Sequence, residues 1–298
     1  MTGTIVKGIG GFYFVSDGNE VVMGKARGNL KRNKELLYVG DIVDFEIDEN
    51  DSDNECVINK VVERRNYLSR PPVSNLDMLV VMFSLASPAV NYPVVDKLIA
   101  ACEQASISPA ICITKPDLAT KSEVDDALGV YGKIYPVASV NGLTGEGVES
   151  LREIIKGKNV ALAGPSGVGK STLTNLLLGK DAEGRGDAAI AATGDVSDKT
   201  QRGRHTTRHV EIFALSDGTH LYDTPGFTSL ELQETEPEEI KTLFKEFRGL
   251  EGECKYSDCM HINEPDCAVK DALTAGEISK SRYDSYLMMT EEAKKWIK

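Results

Sequence analysis

The 298-residue chain carries 34 Lys and Arg against 46 Asp and Glu, a net charge of −12, with 41% hydrophobic and 27% charged residues. These proportions exclude wholesale disorder, and at roughly 100–200 residues per domain the length predicts two or three domains. No run reaches the roughly 20 apolar residues of a membrane helix. Met1–Gly11 lacks a secretory-signal pattern and six cysteines are too few for a disulfide scaffold, so a cytoplasmic protein with no membrane partner is expected.

Residues 1–66 alternate polar and apolar side chains in short runs, 11–15, 20–23, 41–47 and 55–58, broken by glycine and polar turns. That pattern predicts a small antiparallel barrel or sandwich. Lys25, Arg27, Lys31, Arg32 and Lys34 form a basic run without an acid, and an acidic loop spans Asp48 to Asp53. From about Leu76 the rhythm changes. Apolar runs at 78–85, 110–113, 160–163 and 210–215 alternate with helical patterns at 94–105, 123–128, 147–155 and 171–178. Strands without polar alternation, separated by amphipathic helices, predict a parallel sheet covered on both faces. Residues 181–209 are small, polar and charged and read as a long mobile loop. After Pro225 the chain is acidic and helical, and 277–298 fits one helix with Tyr286, Met289, Ala293 and Ile297 on a face.

Between the run 160–163 and the helical pattern 171–178 lie Gly164, Pro165, Ser166, Gly167, Val168, Gly169, Lys170 and Ser171. This is GxxxxGK(S/T) in its strand–loop–helix setting, where backbone N–H groups from Gly164 to Thr172 cradle phosphate oxygens. Lys170 should reach the β- and γ-phosphates, and the Ser171 hydroxyl should ligate Mg²⁺. His220 to Gly226 reads as a strand ending in DxxG, with Asp223 supporting Mg²⁺ and the Gly226 amide sensing the γ-phosphate. Thr114, Lys115, Pro116 and Asp117 follow an apolar strand and match the guanine-reading NKxD pattern, since an aspartate accepts both N1–H and N2–H₂ of guanine. Ala138 and Ser139 fit the short element that backs the base.

The order is unusual. GTPases run from phosphate loop through DxxG to NKxD, whereas here the base-reading elements precede the phosphate loop. Cutting such a domain between DxxG and NKxD, and joining its old ends near 156–158, gives a circularly permuted GTPase. Thr114 stands where Asn is usual, which should weaken one hydrogen bond orienting the base loop. Phe227 follows DxxG where many GTPases place a water-orienting glutamine, so another group must supply that function. Candidates are in 203–208: Thr206 or Thr207 closing on Mg²⁺, His205 positioning the water, and Arg204 or Arg208 neutralising charge or contacting RNA.

Cys254-x4-Cys259-x-His261-x5-Cys267 places three thiols and an imidazole in a polar, turn-rich segment, a donor set suited to one structural Zn²⁺. The alternative reading is a set of unconnected surface thiols.

The N-terminal β-domain, permuted GTPase motifs, Phe after Asp-Thr-Pro-Gly and the Cys3His coda, in that order, resemble the bacterial small-subunit-dependent GTPases, the RsgA or YjeQ family. The resemblance covers essentially the whole chain. It implies a multidomain protein with an N-terminal OB-fold β-barrel (1–66), a central α/β P-loop GTPase of permuted order (67–231) and a C-terminal helical zinc-binding domain (232–298). It also implies a monomer that binds the small ribosomal subunit and its rRNA late in maturation and hydrolyses GTP to GDP when stimulated by it. Two other readings remain: an rRNA-binding module whose nucleotide is regulatory or structural, and an ATP-using P-loop enzyme.

Overall fold

The structure is a computed structural model that describes residues 1–28, 30, 36–47, 55–182, 210–224, 227, 228, 230, 232–250 and 252–296. In chain order the strands are β1 (Thr2–Ile9), β2 (Phe12–Ser16), β3 (Val21–Ala26), β4 (Ile42–Ile47), β5 (Cys56–Val61), β6 (Tyr67–Ser69), β7 (Pro72–Ser74), β8 (Met78–Ser84), β9 (Ser108–Thr114), β10 (Val137–Val140), β11 (Asn159–Ala163), β12 (Glu211–Ala214) and β13 (His220–Asp223). The helices are α1 (Tyr92–Gln104), α2 (Lys121–Tyr131), α3 (Val148–Ile155), α4 (Lys170–Ala182), α5 (Pro237–Ile240), α6 (Lys245–Arg248), α7 (Ala268–Thr274) and α8 (Lys280–Trp296). Two compact units share the chain: 1–79, 152–162 and 170–227 form the first, and 80–151, 163–169 and 228–298 the second.

In the first unit the period-two runs become a closed barrel. Strands pair in the order β1-β2-β3-β5-β4, and β4 returns to β1 through Thr2↔Asp44, Gly3↔Val43 and Thr4↔Ile42. Closure leaves no free sheet edge. The inward residues Ile5, Val15, Val43, Phe45, Cys56 and Ile58 are all buried. β3 and β5 run parallel with Gly24 opposite Cys56, and a Cβ at Gly24 would lie 2.0 Å from the Cys56 carbonyl oxygen. Only glycine permits that approach. Below the barrel, buried Asp41 accepts from Arg64 Nε and Nη2 (2.6 and 2.8 Å), Ser74 Oγ (2.6 Å) and the Tyr38 amide (2.8 Å), which satisfies its charge. The same unit holds β11 parallel to β13, β13 antiparallel to β12, and β12 joined to β1 at Lys7↔Glu211.

The second unit carries the order β10-β9-β8, with β10 and β9 parallel, and β8 is buried along its whole length. The expected parallel strands are thus present. Its C-terminal core gathers Ala100 and Ala101 of α1 with Phe244, Phe247, Val269, Tyr286, Met289 and Ala293. Tyr286, Met289 and Ala293 lie on the buried face of α8 as the helical period predicts, while Ile297 lies outside the described residues. The core also contains charge. Arg282, 1% exposed, donates to Asp96 Oδ1 (2.8 Å) and to Glu246 Oε1 and Oε2 (2.7 and 3.1 Å). Tyr131 and Ser285 complete the coordination of Asp96 at 2.9 and 2.6 Å. Burial opposes the guanidinium charge, but the two carboxylates outweigh it and hold Arg282 protonated.

Candidate nucleotide and metal sites

The segment 114–117 of the second unit, expected to read the base, is built by a sharp exit from β9. Lys115 adopts φ 52°, Pro116–Leu118 form a 3₁₀ turn, and Thr120 starts α2 with a capping box. There the Glu123 amide donates to Thr120 Oγ1 (3.3 Å) and the Thr120 amide to Glu123 Oε2 (2.8 Å). Asp117 is exposed on this turn, and its carboxylate makes no hydrogen bond or ion pair among the described residues. The Thr114 hydroxyl donates to the Val168 carbonyl at 2.8 Å, with the Phe83 carbonyl at 3.2 Å as alternative acceptor. Lys115 Nζ donates to the carbonyls of Gly167 (2.7 Å) and Ser87 (2.8 Å). Shorter than the Asn usual there, the Thr114 side chain still ties the 114–117 turn to the loop 164–169. Ala138 and Ser139 lie within β10, in register with Cys112 and Ile113 of β9, and Val140 faces Thr114. Gly147 packs so closely on Ser139 that a Cβ would lie 1.8 Å from its carbonyl oxygen.

The loop 164–169 follows β11, and α4 begins at Lys170, as the motif predicts. Gly167 and Gly169 take φ of 78° and 108°, values that side-chain-bearing residues rarely adopt. Val168 is fully buried, whereas Pro165, Ser166 and Gly167 are exposed.

In the first unit Lys170, Ser171 and Asp223 line one pocket of about 150 Å³ with Leu162, Thr174, Asn175, Tyr222 and Thr224. Burial lowers the Lys170 pKa, whereas burial, and then the nearby Glu211 charge, raises that of Asp223. Both shifts have the sign that an anionic phosphate with a divalent cation would reverse. Thr174 and Asn175 were not anticipated, although they lie three and four residues beyond Ser171 on the same helix face. Phe227 is buried, with its amide donating to the Thr224 carbonyl at 3.2 Å. His205, Thr206, Thr207, Arg204, Arg208 and Gly226 lie outside the described residues.

The cysteine–histidine cluster assembles in the second unit as the spacing predicts. Cys254, Cys259, His261 and Cys267 place one donor atom each within 4.8 Å of the others. Cys254 Sγ lies 3.9 Å from Cys267 Sγ and 3.6 Å from His261 Nδ1, which is 3.4 Å from Cys267 Sγ. Tetrahedral Zn–S and Zn–N bonds of about 2.3 and 2.0 Å imply S···S and S···N separations of about 3.8 and 3.5 Å, so the donors fit zinc. Burial pushes the Cys259 thiol up to about 12, a penalty a divalent cation reverses. Glu264, unremarkable in a polar, turn-rich segment, shapes the loop by accepting from the amides of Met260, Ile262 and Asn263 at 3.0, 2.8 and 3.0 Å. Burial opposes its ionisation, but the backbone hydrogen bonds outweigh it and hold Glu264 below the usual carboxylate range. Tyr283 and Tyr286 donate to the carbonyls of His261 and Met260, anchoring the loop to α8.

A five-stranded barrel, a phosphate loop preceded in sequence by its base-reading elements, and a Cys3His cluster define a circularly permuted P-loop GTPase. Comparison with known proteins agrees. Residues 2–55 match the RsgA N-terminal domain and residues 61–233 the RsgA GTPase. The small ribosomal subunit biogenesis GTPase RsgA of Caldanaerobacter subterraneus is 39% identical over 98% of this chain and 95% of its own, and that of Agathobacter rectalis 38% identical over 99% and 98%. YjeQ from Thermotoga maritima superposes with a TM-score of 0.80 at 32% identity, covering 98% of both chains. YloQ, described as a circularly permuted GTPase, gives 0.76 at 31% identity, covering 99% of this chain and 95% of its own. The chain belongs to the RsgA GTPase family and is a GTPase. No helix among the described residues is long and apolar enough to cross a membrane.

Proposed function

We propose that this chain is a cytoplasmic, monomeric assembly factor that binds the small ribosomal subunit and its rRNA late in maturation and hydrolyses GTP when the subunit stimulates it. The observation that carries the nucleotide reading is the pair of side chains, Thr114 and Lys115, bonded to the carbonyls of Val168 and Gly167. They join base-reading and phosphate-binding segments that the sequence presents in reversed order. The names of the curated relatives support the ribosomal part.

In this reading Asp117 accepts from guanine while Lys115, Ala138 and Ser139 frame the base. Amides of 164–172 cradle the phosphates, and Lys170 places its charge on the β- and γ-oxygens. Mg²⁺, when bound, neutralises charge on those oxygens. Ser171 and Thr206 would hold it, with Asp223 in support. His205 takes the water-orienting role that Phe227 cannot fill. Residues 1–66 form the RNA-binding barrel, 67–231 the GTPase and 232–298 the domain that Cys254, Cys259, His261 and Cys267 stabilise around one structural zinc.

Steady-state hydrolysis of GTP and ATP, each with and without purified small subunits, tests the proposal. GTP-selective turnover that rises at least tenfold with subunits is expected. GTP turnover indifferent to subunits would remove the ribosomal partner, and equal use of ATP would remove the role of Asp117.

A further inference from the structure

Three charged residues stand side by side across the sheet of the first unit. Lys7 of β1 is the register partner of Glu211 of β12, and Glu211 is the register partner of Asp223 of β13. Directly opposed residues of antiparallel strands share a sheet face with Cβ atoms about 4.5–5.5 Å apart. The row therefore reads ammonium, carboxylate, carboxylate. Lys7 Nζ donates to Glu211 Oε2 at 2.9 Å, with side-chain exposures of 29% and 19%. An ion pair this exposed adds little to stability. Its position is what matters: the carboxylate it engages lies beside Asp223, which lines the pocket with Lys170 and Ser171. Without a cation on its far side, Glu211 would present a second negative charge to the strand that borders a phosphate pocket. The interaction also joins the barrel's first strand to a strand that begins only five residues after Thr206 in sequence.

We propose that Lys7 is a positioning residue for GTP hydrolysis: by pairing with Glu211 it draws that carboxylate toward the barrel and limits the negative charge it places beside Asp223 and the phosphate pocket. The inference rests on the reading of Lys170, Ser171 and Asp223 as the phosphate and Mg²⁺ site. Lys7 touches no reacting group in this role; it acts through Glu211, and like charges left directly opposed across strands oppose binding of an anionic substrate.

The test is steady-state hydrolysis of Mg·GTP by the full-length chain and by Lys7→Met, Lys7→Arg, Glu211→Gln and the double variant Lys7→Met/Glu211→Gln. Lys7→Met is expected to raise KM about fivefold with kcat within about twofold, an effect that shrinks as salt is added. Lys7→Arg and the double variant should return KM to within about twofold of the parent, because each removes the unpaired charge. A parental KM in Lys7→Met overturns the inference. So does a double variant as impaired as Lys7→Met, which would assign Lys7 a role independent of Glu211. Lys170→Ala, assayed alongside, separates the two levels: full turnover there would refute the phosphate site itself, whereas its loss with an unchanged Lys7→Met refutes only the positioning role.

Discussion

Replacing Arg282 by Met should be among the most damaging single changes outside the nucleotide site. Arg282 is 1% exposed and is the cation shared by Asp96, fully buried, and Glu246, nearly so. Methionine fills similar volume but leaves both carboxylates without their cation in a core that also holds Phe244, whose ring lies 4.7 Å from the guanidinium carbon. Breaking a buried ion pair by removing one partner costs about 3–5 kcal/mol. The Tyr131 and Ser285 hydroxyls still donate to Asp96, which places the cost toward the lower half of that range. For a unit of this size each kcal/mol moves the thermal midpoint by about 2–4 °C, so a fall of about 10 °C is expected. Urea unfolding followed by circular dichroism and by fluorescence of Trp296, the single tryptophan and part of α8, reads the loss. A triple variant, Asp96→Asn/Glu246→Gln/Arg282→Met, should recover at least half of it, since the penalty belongs to uncompensated charge. A loss below about 1 kcal/mol in Arg282→Met, or a triple variant no better than the single, would refute the charged description of this core.

Four further outcomes follow from the sites. Asp117→Asn should raise KM for GTP at least tenfold and shift preference toward xanthosine triphosphate; competition binding with both nucleotides checks this, and unchanged GTP binding removes Asp117 from base recognition. Thr114→Val keeps the shape but leaves the Val168 carbonyl without its donor, so guanine nucleotide affinity measured by calorimetry should fall about tenfold, whereas Thr114→Ser retains it. Metal analysis should find one zinc per chain, with Cys267→Ser or chelation abolishing it and loosening 254–267 in hydrogen exchange. Glu264→Ala should weaken zinc retention without removing any ligand, because three backbone amides lose their acceptor.

Much of this was legible in the sequence because local chemistry fixed it. The phosphate loop needs its glycines wherever it occurs, and the period-two runs of 1–66 can close only with their apolar face inward. The spacing of Cys254, Cys259, His261 and Cys267 likewise states its own donor set. What was not legible depends on partners far along the chain. Nothing near Asp96 in sequence shows that it is buried, because its cation comes from Arg282, 186 positions later. Lys7 and Glu211, 204 positions apart, read individually as surface charges. Thr114 reads as a shortened Asn, because its acceptor, the Val168 carbonyl, lies 54 positions away. Glu264 sits in a polar turn where an acid would ordinarily face water.

The interleaving of the two units sets an order of events during biosynthesis. The first unit has all its residues once position 227 has been made, while the second also needs residues up to 298. Asp96 waits for Arg282 across 186 residues, about 10–40 s at ordinary elongation rates of about 5–20 residues per second. Through that interval the apolar side of α1, including Ala100 and Ala101, has no C-terminal helix to cover it. The nascent chain can therefore complete its barrel and Lys170–Asp223 pocket before the half that carries Asp117 has a finished core, and chaperone demand should be greatest in that window.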